Sequence, residues 1–271
     1  MSREVIDLRG GPSGVVLIHG LTGSPFELKY LATQLNRAGF TVKVPCLAGH
    51  GGDIEELKQT TWRDWYGTVR TTIEELRSSC REVFTAGLCM GAVLAIHAAK
   101  EYGSYVKAVA ALSTTFKFDG WSLPWYSFLM PLNHYTPLRY WYSYPETEPY
   151  GIKNERLRRS VARGLKDNSL AYDCVPGVSM YQLHKLSGVV RAELPVVTTP
   201  TLIIHSQEDD TASLKNALLV EQRIGARDVR KVVLDDCYHM ITIDNQRELV
   251  AQEVTAFFGK YAAAGSRCDA G

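Results

Sequence analysis

The sequence predicts an α/β fold, a mostly parallel central sheet flanked by helices and carrying one long insertion. Three observations lead there. Short β-branched runs alternate with longer stretches of helical periodicity, the signature of strands joined by crossover helices. A length of 271 residues suits a single α/β domain and lets about three quarters of the unfolded surface be buried. Between two of the strands lie about ninety residues without a convincing strand, too many for a plain loop in a compact domain.

In chain order, strands are expected at Val15–His19, Thr41–Val44, Val83–Gly87, Val106–Leu112, Thr201–His205 and Arg230–Leu234, with an extra one near Val5–Leu8. Helices are expected at Pro25–Arg37, Trp62–Leu76, Met90–Tyr102, Leu214–Ile224 and Asn245–Phe258. The first opens on Ser24-Pro25-Phe26-Glu27. There Ser caps free amides, Pro suits the first turn and Glu closes a capping box. The segment Phe116–Val197 is read as a lid packed over the sheet. Its first part is rich in aromatics (Trp121, Trp125, Phe128, Trp141, Tyr142), and these are expected to face the sheet domain or a ligand, because large exposed apolar patches are rare. Leu157, Val161 and Leu165 then fall four apart on a helix whose other faces carry Arg156, Arg158, Arg159, Arg163 and Lys166. Such a basic run is usually a solvated face, with steering of an anionic substrate the sharper alternative. The core is therefore 1–115 with 198–262, the lid 116–197, and 263–271 a flexible tail.

Composition narrows the class. With 30 Lys+Arg against 29 Asp+Glu there is no basic excess for a nucleic-acid backbone. At 45% apolar and 22% charged the chain is globular. The apolar run Val15–Ile18 is far short of the ~20 residues of a membrane span. The start MSREVIDLRGGPSG has no apolar signal stretch, and six cysteines occur without a CxxC pair. The expected setting is a reducing cytoplasm, with no metal or organic cofactor.

Four places carry chemistry. Gly87-Leu88-Cys89-Met90-Gly91 puts Cys89 at a tight strand-to-helix turn, where a helix N-terminus favours a thiolate. Taken alone, Cys89 is as readily a buried structural thiol. His19-Gly20-Leu21-Thr22-Gly23 follows the first core strand and can aim the Leu21 N–H, with that of Met90, at a developing oxyanion. TPTLIIHSQEDD sets Asp209 on a loop at a strand end, with Glu208 and Asp210 as competitors and solvated turn acids as the plain alternative. Asp236-Cys237-Tyr238-His239-Met240 follows the last strand, and His239 is the only histidine downstream of Asp209. His50 is expected to bond the backbone near the site, while His97, His134, His184 and His205 are expected to be packed or solvated.

Nucleophile, acid and histidine in that chain order resemble the α/β-hydrolase family, and more closely the bacterial carboxylesterases and monoacylglycerol lipases. LIHGLTGSP resembles the family's oxyanion loop, AGHGGD its GHG loop, GLCMG its nucleophile elbow, PTLIIHSQEDD its acid loop and YHMITID its histidine loop. The resemblance implies Cys89 as nucleophile, Asp209 as acid, His239 as base, and Leu21 and Met90 as oxyanion donors. It implies hydrolysis of esters with an apolar acyl or aryl group. Position 89 departs from the family's serine. A natural Cys–His–Asp hydrolase, an acyl-carrying thiol as in the much longer polyhydroxyalkanoate synthases, and a Ser→Cys replacement all fit. A thioesterase or acyltransferase is the alternative within the class. A non-catalytic ligand-binding protein on the same fold is the alternative outside it.

Overall fold

A computed structural model describes residues 4–123, 127, 134–166 and 172–262. Trp125 and Phe128 of the aromatic segment and the tail 263–271 lie outside the described residues, as do the side chains of Leu165 and Lys166.

The core strands are β1 (Ile6–Leu8), β2 (Ser13–Ile18), β3 (Thr41–Val44), β4 (Glu82–Leu88) and β5 (Val106–Leu112). With β8 (Thr201–Ser206) and β9 (Val229–Leu234) they form a seven-stranded sheet in the order β1-β3-β2-β4-β5-β8-β9. All neighbours are parallel except the edge strand β1, which runs antiparallel to β3. Alternation sorts the side chains. Val15 and Leu17 face one layer, built on α1 (Lys29–Arg37) and α8 (Arg247–Tyr261). Val16 and Ile18 face the other, built on α3 (Trp62–Ser79) and α4 (Met90–Tyr102).

The register places the site. Ile18 pairs with Gly87, Leu88 with Leu112, Leu112 with Ile204 and Ser206 with Leu234. The C-terminal ends of β2, β4, β5, β8 and β9 therefore lie along one edge, and the loops bearing Leu21, Cys89, Asp209 and His239 all leave from it. In parallel sheets this is where ligands bind.

Several expectations are corrected. The first helix opens with a 3₁₀ turn at Pro25–Leu28. The capping box is at most half formed: the Ser24 side chain makes no capping bond, and the Glu27 carboxyl, facing the Ser24 amide, also accepts the Gly20 N–H. A short α2 (Ile54–Lys58), capped by Asp53 accepting the Glu55 N–H, joins β3 to α3. The insertion holds two short strands, β6 (Ser143–Pro145) and β7 (Cys174–Pro176), paired antiparallel on either side of the basic helix α5 (Glu155–Lys166). It also holds a 17-residue helix, α6 (Gly177–Glu193). Leu183, Leu186 and Val190 of α6 are buried in the same cluster as α3 and α4, so the last third of the insertion packs into a core layer rather than over it. α7 (Lys215–Arg223) completes that layer.

The aromatics expected to face inward do not all do so. Trp141 is 78% exposed and Trp121 59%. Trp121 acts as a brace: its indole N–H donates to the Glu208 carbonyl (2.9 Å), and its ring stands edge-on to Tyr238 at 5.3 Å. Among the described residues, no helix is long and apolar enough to cross a membrane.

Candidate active site

Cys89 sits between β4 and α4 with φ +57°, a left-handed conformation costly for any residue with a Cβ. Two close approaches force it there. A Cβ on Gly87 would fall 2.1 Å from the Gly91 carbonyl, and one on Gly91 would fall 2.0 Å from the Ile18 carbonyl. Only glycine at both positions lets the turn close against β2. The Cys89 N–H is held by the Leu112 carbonyl (2.9 Å), and the side chain is 9% exposed. Met90, the first residue of α4, presents one of the free N–H groups of a helix start.

Asp209 and His239 meet as expected. His239 Nδ1 lies 2.8 Å from Asp209 Oδ2 and 3.0 Å from Oδ1, with both side chains buried. Asp209 also accepts the Thr211 and Ala212 N–H groups (2.9 and 2.7 Å). Burial works against each charge, but His239 holds the Asp209 carboxyl below its ordinary range. Burial likewise opposes an imidazolium, yet Asp209 and Cys89 together hold His239 well above the usual histidine value. His239 Nε2 is buried without a conventional hydrogen-bond partner among the described residues, and Cys89 is its neighbour in the cavity. Thiol, imidazole and carboxylate thus stand next to one another in an order suited to proton transfer.

The competitors of Asp209 separate cleanly. Glu208 is exposed and paired with Lys153 Nζ (2.6 Å). Asp210 is not a solvated turn acid: it is 2% exposed and accepts the backbone N–H groups of His239 (3.3 Å) and Gly151 (3.1 Å).

Three supporting residues escaped the sequence. His205, expected to be merely packed, donates through Nε2 to the Ala212 carbonyl (2.7 Å) and stands 3.3 Å from Asp209 Oδ2. Gly151, with φ +71°, brings the insertion against the histidine loop, where a Cβ would stand 3.1 Å from His239 Cβ. Asp244 accepts the N–H groups of Tyr238, Lys153 and Asn154 at 3.0, 2.7 and 2.9 Å. The GHG loop behaves as expected. His50 Nδ1 bonds the Ala48 carbonyl (3.1 Å), and burial pushes its pKa down to about 4. His19 accepts the Leu47 N–H at Nε2 (3.1 Å) and donates from Nδ1 to the Gly20 carbonyl (2.9 Å), tying the GHG loop to the loop of Leu21.

Leu21, Cys89 and His239 line one cavity of about 240 Å³. Its apolar side is lined by Phe118, Leu123, Tyr172, Val175, Met180 and Ile243. Apart from Phe118, Leu123 and Ile243, which flank the insertion's first leg and the histidine loop, this wall comes from its later part. Neither Trp121 nor Trp141 belongs to it.

A family model described as Serine aminopeptidase, S33 matches residues 12–246. The chain is 29% identical over 263 residues to a thermostable monoacylglycerol lipase of Bacillus sp. (strain H-257), covering 93% of this chain and 92% of that one. It is 24% identical over 253 residues to a carboxylesterase of Bacillus subtilis (strain 168), covering 93% and 94%. Among solved structures, that of LipS and LipT, two metagenome-derived lipolytic enzymes, superposes with a TM-score of 0.82 at 28% identity, covering 96% of this chain and 98% of the other. The monoacylglycerol lipase of Paleococcus ferrophilus superposes at 0.78 with 17% identity, covering 97% and 100%.

Proposed function

The chain has the α/β-hydrolase fold and belongs to the family described as Serine aminopeptidase, S33, and on that premise we propose that it hydrolyses carboxylic esters with an apolar acyl or aryl group through Cys89, His239 and Asp209. The observation that carries this reading is the path Asp209–His239–Cys89 at one edge of the sheet, opening on a cavity whose far wall is apolar.

In the proposed reaction His239 Nε2 takes the Cys89 proton as Sγ bonds to the acyl carbon, and the carbonyl oxygen becomes an oxyanion held by the Leu21 and Met90 N–H groups. Collapse breaks the acyl C–O bond. The leaving alcohol takes the proton back from His239 and a thioester remains. Water, losing a proton to His239, attacks that thioester, and breaking the C–S bond returns the proton to the thiol and frees the acid. Asp209 holds the imidazole tautomer and offsets its charge. The scheme needs no metal or organic cofactor.

Cysteine at position 89 supports a second reading, a thioesterase or acyltransferase, since a thiol both forms and exchanges acyl thioesters readily. The free cysteines, including Cys46, Cys80, Cys174 and Cys237, fit a reducing compartment. A panel of p-nitrophenyl esters and acyl-CoA thioesters, run on the parent chain, Cys89→Ser and His239→Ala, tests both readings. Ester turnover lost in His239→Ala supports the first. Acyl transfer to an added alcohol or thiol in preference to water selects the second.

A further inference from the structure

The loop His19–Gly23 must hold the Leu21 N–H still, yet it is awkward backbone: Thr22, which is not glycine, sits at φ +63°. Two carboxyl groups flank it. Glu27 folds back so that Oε2 accepts the Gly20 N–H (3.3 Å), and its carboxyl fills the space beside Gly23, where a Cβ would meet Oε1 at 2.2 Å. A Cβ on Gly20 would stand 3.3 Å from Cys89 Cβ and 3.8 Å from Glu27 Oε2. Carboxyl and nucleophile therefore press on the same glycine, the one before Leu21. Opposite, Glu146 follows β6 and lies beside the Thr22 hydroxyl, which itself donates to the Leu21 carbonyl. Both glutamates are half-buried and line the cavity of Cys89 and His239.

We propose that Glu27 is a positioning residue of the oxyanion loop, fixing Gly20 and through it the Leu21 N–H, and that Glu27 and Glu146, which flank that loop and line the same cavity, must between them keep a proton for turnover. The inference rests on the ester-hydrolase reading and extends it to two residues that the triad does not use.

Charge explains why the proton matters. Two ionised carboxylates beside the site would oppose both the thiolate and the oxyanion. Burial pushes Glu27 up to about 7, and the charge of Glu146 adds to this, against the Gly20 and Ser24 amides and His239. Burial also pushes Glu146 up to about 7, with Asp210 adding and His239 and the Thr22 hydroxyl opposing. The groups facing the pair are thus Cys89 from the elbow, Asp210 from the acid loop and His239 from the histidine loop. A raised pKa means that protons leave as pH rises through neutrality, so kcat falls on the alkaline side.

The test compares kcat and KM for p-nitrophenyl butyrate across pH in the parent, Glu27→Gln and Glu27→Ala. Glutamine keeps an acceptor for the Gly20 N–H without a titrating charge. The parent should lose kcat several-fold above neutrality, and the Glu27→Gln profile should lose that alkaline fall. Glu27→Ala should lower kcat about ten-fold at every pH, the loss of one buried hydrogen bond, with KM little changed and with glutamine recovering most of the loss. An alkaline fall of unchanged shape in Glu27→Gln, or an alanine variant equal to the parent, overturns the proposal. Carbonyl ¹³C NMR gives a readout independent of turnover, with Glu27→Gln and Glu146→Gln assigning the signals. A midpoint near neutrality supports the pair, and one in the ordinary carboxylate range overturns it. A parent that turns over no ester defeats the functional reading alone, and the NMR midpoint still decides the state of Glu27.

Discussion

Asp210 accepts the backbone N–H of His239 at 3.3 Å while the neighbouring Asp209 receives the same residue's ring nitrogen at 2.8 Å. Two consecutive acids thus grip one histidine, one by its main chain and one by its imidazole. Asp209→Asn should lower kcat by about 10³- to 10⁴-fold, because an amide there favours the wrong tautomer. Asp210→Asn keeps an acceptor oxygen, so it should lower kcat only about ten-fold while lowering Tm, since Asp210 also holds Gly151. Kinetics and thermal unfolding of both variants decide. Equal kinetic losses would show that Asp210 takes part in the chemistry.

Cys89 should be alkylated by iodoacetamide faster than the other described cysteines. Cys89 shares its cavity with His239, which can take the thiol proton as the sulfur reacts. Cys237 is the opposite case, fully buried and pushed up to about 12 chiefly by that burial. His239→Ala should slow labelling of Cys89 and leave that of the half-buried Cys46 and Cys174 unchanged, as read by mass spectrometry. Uniform labelling in the parent would defeat the prediction.

His50 should make the fold acid-sensitive. Burial lowers its folded-state pKa from 6.5 to about 4, so as pH falls below 6.5 the unfolded chain binds a proton that the folded chain does not, and stability is lost down to the folded value. The full difference is about 3 kcal/mol at 1.36 kcal/mol per pKa unit. Denaturant unfolding of His50→Gln should fall less steeply between these pH values than that of the parent. Parallel curves would exclude His50 as the source.

The cavity wall predicts chain-length selectivity. Each added acyl methylene should gain up to about 0.8 kcal/mol until the space is full, so kcat/KM should climb several-fold per two carbons and then level off. Met180→Ala should flatten the climb. Trp141→Ala should not, because Trp141 faces solvent.

The sheet and the positions of the three proposed reacting residues were legible because each rests on a local pattern. β-Branched runs mark the strands, glycines two before and two after Cys89 mark the elbow, and Asp209 and His239 each follow a strand end. The supporting contacts were not legible because they join residues far apart in sequence. Nothing near Gly151 says that it will meet His239, and nothing near His205 says that its ring will reach Asp209. Glu27 misled for the opposite reason: its local pattern, three residues after Ser24, is that of a capping box, and nothing in it says that the same carboxyl will also hold Gly20. Helix α6 was not read, although Leu183, Leu186 and Val190 recur three or four apart, because Gly188 interrupts the pattern. The tryptophans show the limit of composition, because an aromatic-rich stretch does not say which rings face inward.

One carboxylate, that of Asp244, collects N–H groups from Tyr238 beside the histidine and from Lys153 and Asn154 in the insertion. In engineering terms this sets the rules for transplanting caps between relatives. A foreign segment spliced across 116–197 would cut those ties and free the strut on which His239 stands, so a chimera would lose catalysis before its new pocket was ever tested. A graft that keeps residues 151–154 and exchanges only what lies on either side would carry the strut along with it.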